Sequence, residues 1–151
     1  MPILETPKDK SLERRAVGRF TEQTHTEAIE LPPLSAVDYF IMDFGQLKAG
    51  LEIKTRKETP QQVRSYGGLI LKHRKYLELK QIGELLNIST YVLFAFENSE
   101  GDLCTVNIGE VIDPRPQTPP VRKNYRGLAC DEEPVLYLDW SIVRPLGSQP
   151  W

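Results

Sequence analysis

Residues 34–57 read LSAVDYFIMDFGQLKAGLEIKTRK. Two β-rich stretches, VDYFIMDF at 37–44 and GLEIKTR at 50–56, flank a turn signal at Gly45-Gln46. That pattern predicts a β-hairpin. Side chains alternate faces along a strand, so Leu51, Ile53 and Thr55 share one face and Glu52 and Lys54 the other. The apolar pair anchors the strand in a core. The carboxylate and the ammonium then stand together on a surface or in a cleft. An acid two residues before a lysine is common by chance, and Glu78-Leu79-Lys80 is a second case. That one falls in a predicted helix, where residues two apart do not face each other. Strand context, not the triplet, carries the information.

The hairpin also brings Asp38, at the start of its first strand, towards Glu52. Register decides the outcome, because a slip of one residue turns every side chain to the other face. In the favourable register two carboxylates converge beside Lys54. Like charges that close repel unless a cation sits between them. A few hard oxygen ligands suit Mg²⁺, which accepts phosphate oxygens to complete its shell. Such an ion activates water and stabilises charge on a phosphodiester. Lys54 would orient that water or neutralise developing charge.

Two more charged residues point inward. Thr6-Pro7-Lys8-Asp9 reads as a helix start, with the helix running to about residue 25. Glu13 lies within its apolar stripe of Leu12, Ala16, Val17 and Phe20, and a buried carboxylate needs a partner. A second helix is predicted from about Leu71 to Asn87, and Lys75 lines up with Leu79, Ile82 and Leu86. The bland reading of each is an edge residue that snorkels to water.

The remaining signals set the frame. The strand EAIEL (27–31) precedes the Pro32-Pro33 break, and 58–68 reads as a polar loop. TYVLFAF (90–96) predicts a buried strand, followed by a turn at 98–102 and a pairing strand, LCTVNIGEV. DPRPQTPP (113–120) is a proline-rich connection, and EPVLYLDW (133–140) predicts a last strand. This order predicts an α/β fold, a mixed central β-sheet flanked by helices. The 151 residues suit one domain over 1–151, with a core of about 9–112 and a C-terminal strand extension at 121–151. No apolar run spans a membrane, and the N-terminal stretch lacks a signal-peptide layout, so a cytoplasm is expected. Cys104 and Cys130 have no metal or redox spacing and read as reduced, partly buried thiols. His25 and His73 are expected at the surface, Trp140 in the core and Trp151 in the tail. The net charge of −2 conceals an asymmetry, because residues 54–80 hold eight bases and two acids, leaving −8 for the rest. A +6 segment suits a polyanion, with Arg56, Lys57, Arg64 and Lys72 as phosphate contacts.

Asp38, Glu52-Ile53-Lys54 on the next strand and a helix-borne Glu13 upstream resemble the PD-(D/E)XK nuclease superfamily. The likeness covers roughly residues 9–97, and the element order is similar to its restriction-endonuclease-like αβββαβ core. The quoted stretch resembles small phage-encoded members in particular, where a basic residue such as Arg56 follows the Glu-x-Lys and a later helix brings an inward lysine such as Lys75. The tail NYRGLACDEEPVLYLDWSIVRPL is also similar to theirs. Archaeal Holliday-junction resolvases share the order of Glu, Asp and Glu-x-Lys. One departure is Val37, not proline, before Asp38, and the superfamily often lacks that proline.

The resemblance implies Mg²⁺-dependent hydrolysis of DNA phosphodiesters, with Mn²⁺ as a substitute, in the host cytoplasm if the chain is phage-encoded. Asp38, Glu52, Glu13 and the Ile53 carbonyl would bind metal. Lys54 would assist the nucleophile, and Lys75 would contact phosphate. No base-reading element is visible, so structure-selective or weakly sequence-selective cutting is expected, with a homodimer left open as a way to cut two strands. Two alternatives stand beside this: a nuclease-like fold that only binds nucleic acid, and an interaction or virion protein. Divalent-cation binding separates the nuclease, which requires it, from the interaction protein, which does not, and the clustered acids Glu13, Asp38 and Glu52 with Lys54 argue against a pure binder.

Overall fold

The computed structural model describes residues 7–65, 68–97, 103–112, 114–117, 122–123, 129–130 and 133–146. Helix α1 spans Pro7–Thr24. Its buried side chains include Leu12, Ala16, Val17 and Phe20, the stripe expected from helical spacing. The expected cap, Thr6, lies outside the described residues. Strand β1 (Glu27–Glu30) leads to the predicted hairpin of β2 (Tyr39–Asp43) and β3 (Gln46–Arg56). Its strands are antiparallel, with Tyr39 opposite Leu51 and Asp43 opposite Gln46. Phe44 and Gly45 at the tip both take positive φ, 49° and 76°. A two-residue turn matching the twist of the strands demands this, and glycine supplies it without strain.

The stretch expected as a polar loop holds a short helix, α2 (Pro60–Ser65), with Val63 buried. Thr59 Oγ1 accepts from the Gln62 N–H at 3.2 Å, and Gln62 Oε1 accepts from the Thr59 N–H at 2.9 Å. That reciprocal pair is a capping box, whose sequence signal is Thr59-Pro60-Gln61-Gln62. Strand β4 (Leu69–Lys72) follows, and helix α3 begins only at His73, running to Leu86. Leu71 and Lys72, expected as helix, are strand because β4 pairs with β9 (Val135–Leu138) from the far end of the chain. Local periodicity contains no trace of that partner.

Strand β5 (Ser89–Phe96) is the predicted buried strand, and β6 (Leu103–Asn107) pairs back along it. The turn expected at 98–102 lies outside the described residues. Strand β6 stops short of Val111 because a 3₁₀ turn, Ile108–Glu110, begins after Asn107, whose side chain accepts from the Gly109 N–H. The two-residue strands β7 (Arg122–Lys123) and β8 (Ala129–Cys130) pair with each other. The expected last strand corresponds to β9, which lies outside the central sheet. Strand β10 (Val143–Pro145) is the one that joins the sheet, beside β6.

The central sheet has the order β1-β2-β3-β5-β6-β10. Only β3 and β5 run parallel in it, the other neighbours being antiparallel, so the sheet is mixed as expected. Two cores flank the sheet, and alternation puts the apolar side chains of β3 in one of them. Ala49, Leu51 and Ile53 face α1 in a cluster with Leu12, Phe20, Tyr39 and Leu93. The other cluster joins Tyr76 and Leu79 of α3 to Val92, Phe94, Val106, Leu71 and Leu138. Cys104 is buried there and Trp140 is half-buried against it. The side chain of Cys130 and all of Trp151 lie outside the described residues. His25 is exposed as expected, whereas His73 is half-buried, with its ring stacked 6.3 Å from that of Tyr76. No helix among the described residues is long and apolar enough to cross a membrane.

Candidate active site on the sheet

Asp38 stands immediately before β2. Its N–H donates to the Leu51 carbonyl at 3.1 Å, and its Oδ2 accepts from the Ile53 N–H at 2.8 Å. The carboxylate therefore continues the ladder past the end of the backbone strand. With Tyr39 opposite Leu51, Asp38 is level with Glu52, which is the favourable register of the two that sequence allowed. The N–H and C=O of one strand residue point to the same side, and Ile53 N–H meets Asp38, so the Ile53 carbonyl faces the same side as Asp38.

Glu52 lies opposite Val92 of β5, on the α3 side of the sheet, and is 4% exposed. Its Oε2 is 3.3 Å from Lys54 Nζ and 3.6 Å from Lys75 Nζ. Its Oε1 is buried and has no hydrogen-bond partner among the described residues. Burial, and then the neighbouring Asp38 charge, hold the Glu52 carboxyl above the usual range against the pull of both lysines. Lys75 reaches in from the first turn of α3, with Nζ 3.0 Å from Glu78 Oε2 and donating to the Ala36 carbonyl at 3.4 Å. Burial draws its ammonium down, but Glu52, Glu78 and Asp38 outweigh that and leave it above the ordinary lysine value. A bare buried carboxylate oxygen is costly unless something positive meets it. Two carboxylates and a backbone carbonyl form a donor set that fits a hard divalent ion such as Mg²⁺.

Glu13 does not join this group. It is 6% exposed, as the inward reading required, but on the α1 side of the sheet. There its Oε1 is 3.5 Å from Lys10 Nζ and its charge acts on Tyr39. Helical spacing shows that Glu13 points inward but not which sheet face the helix covers. Of the five side chains expected in one site, Asp38, Glu52, Lys54 and Lys75 gather on the α3 side and Glu13 stands on the other. Among the described residues, no three His, Cys, Asp or Glu side chains gather as a metal-holding group.

The expected phosphate contacts divide. Lys57 and Arg64 are exposed, and the Arg64 guanidinium stands 5.5 Å from the Trp140 ring centre. Lys72 is exposed but lies 3.1 Å from Glu133. Arg56 is turned into the protein. Its Nη1 donates to the Thr55 carbonyl at 3.0 Å, its Nη2 to the Ile70 carbonyl at 2.7 Å, and its Cζ lies 5.3 Å from the Phe94 ring centre. Burial lowers its pKa, with the Glu58 charge opposing. Sequence reasoning missed Glu78 as the partner of Lys75, although their spacing of three on a helix was a legible signal.

No protein-family model matches the chain, and no curated protein does. Solved structures do match. One is Hjc, a Holliday junction resolvase from the archaeal hyperthermophile Archaeoglobus fulgidus, with a TM-score of 0.55 and 15% identity. The match covers 89% of this chain and 86% of that one. The likeness is one of architecture: this chain has a restriction-endonuclease-like fold, a central mixed sheet flanked by helices.

Proposed function

We propose that this protein is a divalent-metal-dependent DNA endonuclease, structure-selective or weakly sequence-selective, of the kind suggested by small phage nucleases. The observation that carries the reading is Glu52, buried, level with Asp38 and leaving one oxygen without a hydrogen-bond partner among the described residues, beside two lysines. The structural neighbour is a Holliday junction resolvase, which agrees with structure selectivity. Asp38, Glu52 and the Ile53 carbonyl would hold Mg²⁺, or Mn²⁺ in its place. The ion, when bound, supplies a water of lowered pKa and a Lewis acid at the phosphodiester. Lys54 orients the attacking water and carries positive charge where negative charge develops. Lys75, held by Glu78 and the Ala36 carbonyl, presents its ammonium to a phosphate oxygen. Lys57, Arg64 and Lys72 contact the backbone without reading bases.

A second reading, a nuclease-like fold that only binds nucleic acid, is favoured by one observation. Both lysines already rest on Glu52 Oε2, so the site is partly neutralised without metal. Purified protein is to be incubated with supercoiled plasmid, single-stranded DNA and a four-way junction, with Mg²⁺, Mn²⁺ or EDTA, beside Glu52→Ala. The expected result is metal-dependent cutting that the variant loses while keeping DNA binding. Binding of DNA with no cutting and no metal uptake would move the reading to the silent binder.

A further inference from the structure

The basic residue after the Glu-x-Lys invites a phosphate-contact role, but its guanidinium is committed elsewhere. Glu52, Lys54 and Arg56 occupy alternate positions of β3 and so share one face. Arg56 donates from Nη2 to the Ile70 carbonyl of β4 at 2.7 Å. Strand β4 has β9 on one edge, so Arg56 supplies a donor to a backbone group that β9 does not use. Strand β4 then passes into α3 with no intervening loop, Lys72 being followed by the first helical residue, His73. Lys75 is the third residue of that helix, and its Nζ returns to Glu52 Oε2 at 3.6 Å. One side chain thus closes a circuit from the strand bearing Glu52 and Lys54 to the helix bearing Lys75. The Phe94 ring beneath the guanidinium, 5.3 Å from Cζ, and the Thr55 carbonyl at 3.0 Å hold the fork in place. A planar fork with several donors suits this task, and an ammonium cannot reproduce it.

We infer that Arg56 is a positioning residue, which sets the distance between Lys75 on α3 and the Glu52–Lys54 pair on β3. This rests on the nuclease reading for its catalytic consequence, but the tie itself does not. Misplacement of a reacting group by about 1 Å can reduce a rate about 10²-fold. A phosphate contact behaves differently, weakening DNA binding across sequences and lowering the salt slope by about one.

Arg56→Lys and Arg56→Met are to be compared with wild type by three measurements. The first is the single-turnover cleavage rate at saturating DNA. The second is the DNA dissociation constant as a function of salt. The third is amide hydrogen exchange of residues 69–76 without DNA or metal. The expected result is a cleavage rate down at least about tenfold, with DNA affinity and salt slope unchanged and exchange faster across β4 and the start of α3. Arg56→Lys, which keeps a cation and is the milder change, should fall between wild type and Arg56→Met. Weaker binding with a reduced salt slope and unchanged exchange would make Arg56 a phosphate contact and overturn the proposal. Unchanged exchange in both variants would overturn it whatever the rates. If wild-type protein cuts nothing, the nuclease reading fails separately, and exchange alone decides whether the tie exists.

Discussion

At the Asp38 end of the β2–β3 hairpin the sheet carries a cluster of charges on each face, and the two are opposites. On the α1 face Lys10 lies 2.6 Å from Glu30 and 3.5 Å from Glu13, and Arg14 lies 3.7 Å from Glu30. A hydrogen bond to Glu30 raises the Lys10 pKa, and the same bond lowers that of Glu30. Each partner favours the charged form of the other. On the α3 face burial and Asp38 push the Glu52 carboxyl up, and one of its oxygens has no hydrogen-bond partner among the described residues. The first cluster is a set of ion pairs that serves the fold. The second is left short of positive charge in the fold alone, which is the condition expected of a site that awaits a cation.

The sharpest break of this comparison is Glu52→Gln. Cleavage is expected to fall at least about 10³-fold, and divalent-ion binding by calorimetry to disappear. Stability without metal is expected to rise by about 1 kcal/mol, because a buried, ill-matched charge has gone. Lys75 is not orphaned by the change, since Glu78 stays 3.0 Å away. For a chain of this size that gain corresponds to a melting temperature about 2–4 °C higher. A variant that loses activity and melts lower than wild type would end the contrast between the faces.

Next in size is Lys75→Met, for which a loss of about 10²-fold in cleavage rate is expected, with divalent-ion affinity retained because the oxygen ligands remain. Loss of metal binding in that variant would show Lys75 to be a structural support of the ligands. The companion on the other face is Glu13→Gln. Metal binding and cleavage are expected unchanged, and a small loss of melting temperature should follow from the weakened Lys10 cluster. Abolished metal binding in Glu13→Gln would return Glu13 to the site and break the geometric assignment.

How much of this was legible in the sequence follows from what each signal encodes. Alternation in GLEIKTR and the turn at Gly45 are local, and they placed Glu52 and Lys54 correctly on one face. The level of Asp38 against Glu52 depended on register, which the apolar pattern leaves to a choice of two. Glu13 shows the limit of periodicity. Its burial followed from the stripe of Leu12, Ala16 and Phe20, but the face of the sheet depends on how the chain crosses it. The β4–β9 pair was invisible because its partners lie more than sixty residues apart in the chain. The inward turn of Arg56 went with it, since the Ile70 carbonyl that it meets belongs to β4.

The smallest effect sharpens the comparison most, because it has a sign. The folded-state pKa of Glu52 lies above its unfolded value of about 4.3. The folded state therefore holds that proton more tightly, and as pH rises from the unfolded value through the folded one the metal-free protein loses stability on this account. Glu30 is the reverse. Its folded value is lowered, chiefly by the Lys10 hydrogen bond, so its stabilisation is present above about pH 4.3 and is lost as pH falls through the folded value. The Glu30 side chain is 39% exposed, which screens the pair and limits Glu30→Gln to a destabilisation of about 0.2–1 kcal/mol near neutral pH. Denaturant unfolding of wild type, Glu52→Gln and Glu30→Gln between pH 3.5 and 8, without divalent ions, should then give difference curves of opposite sign. Glu52→Gln gains on wild type as pH rises and Glu30→Gln falls behind it. Added Mg²⁺ should close the first gap by binding the folded wild type and leave the second untouched. Parallel curves would mean that both faces carry ordinary ion pairs, and the unmatched charge on which the proposed site rests would be gone.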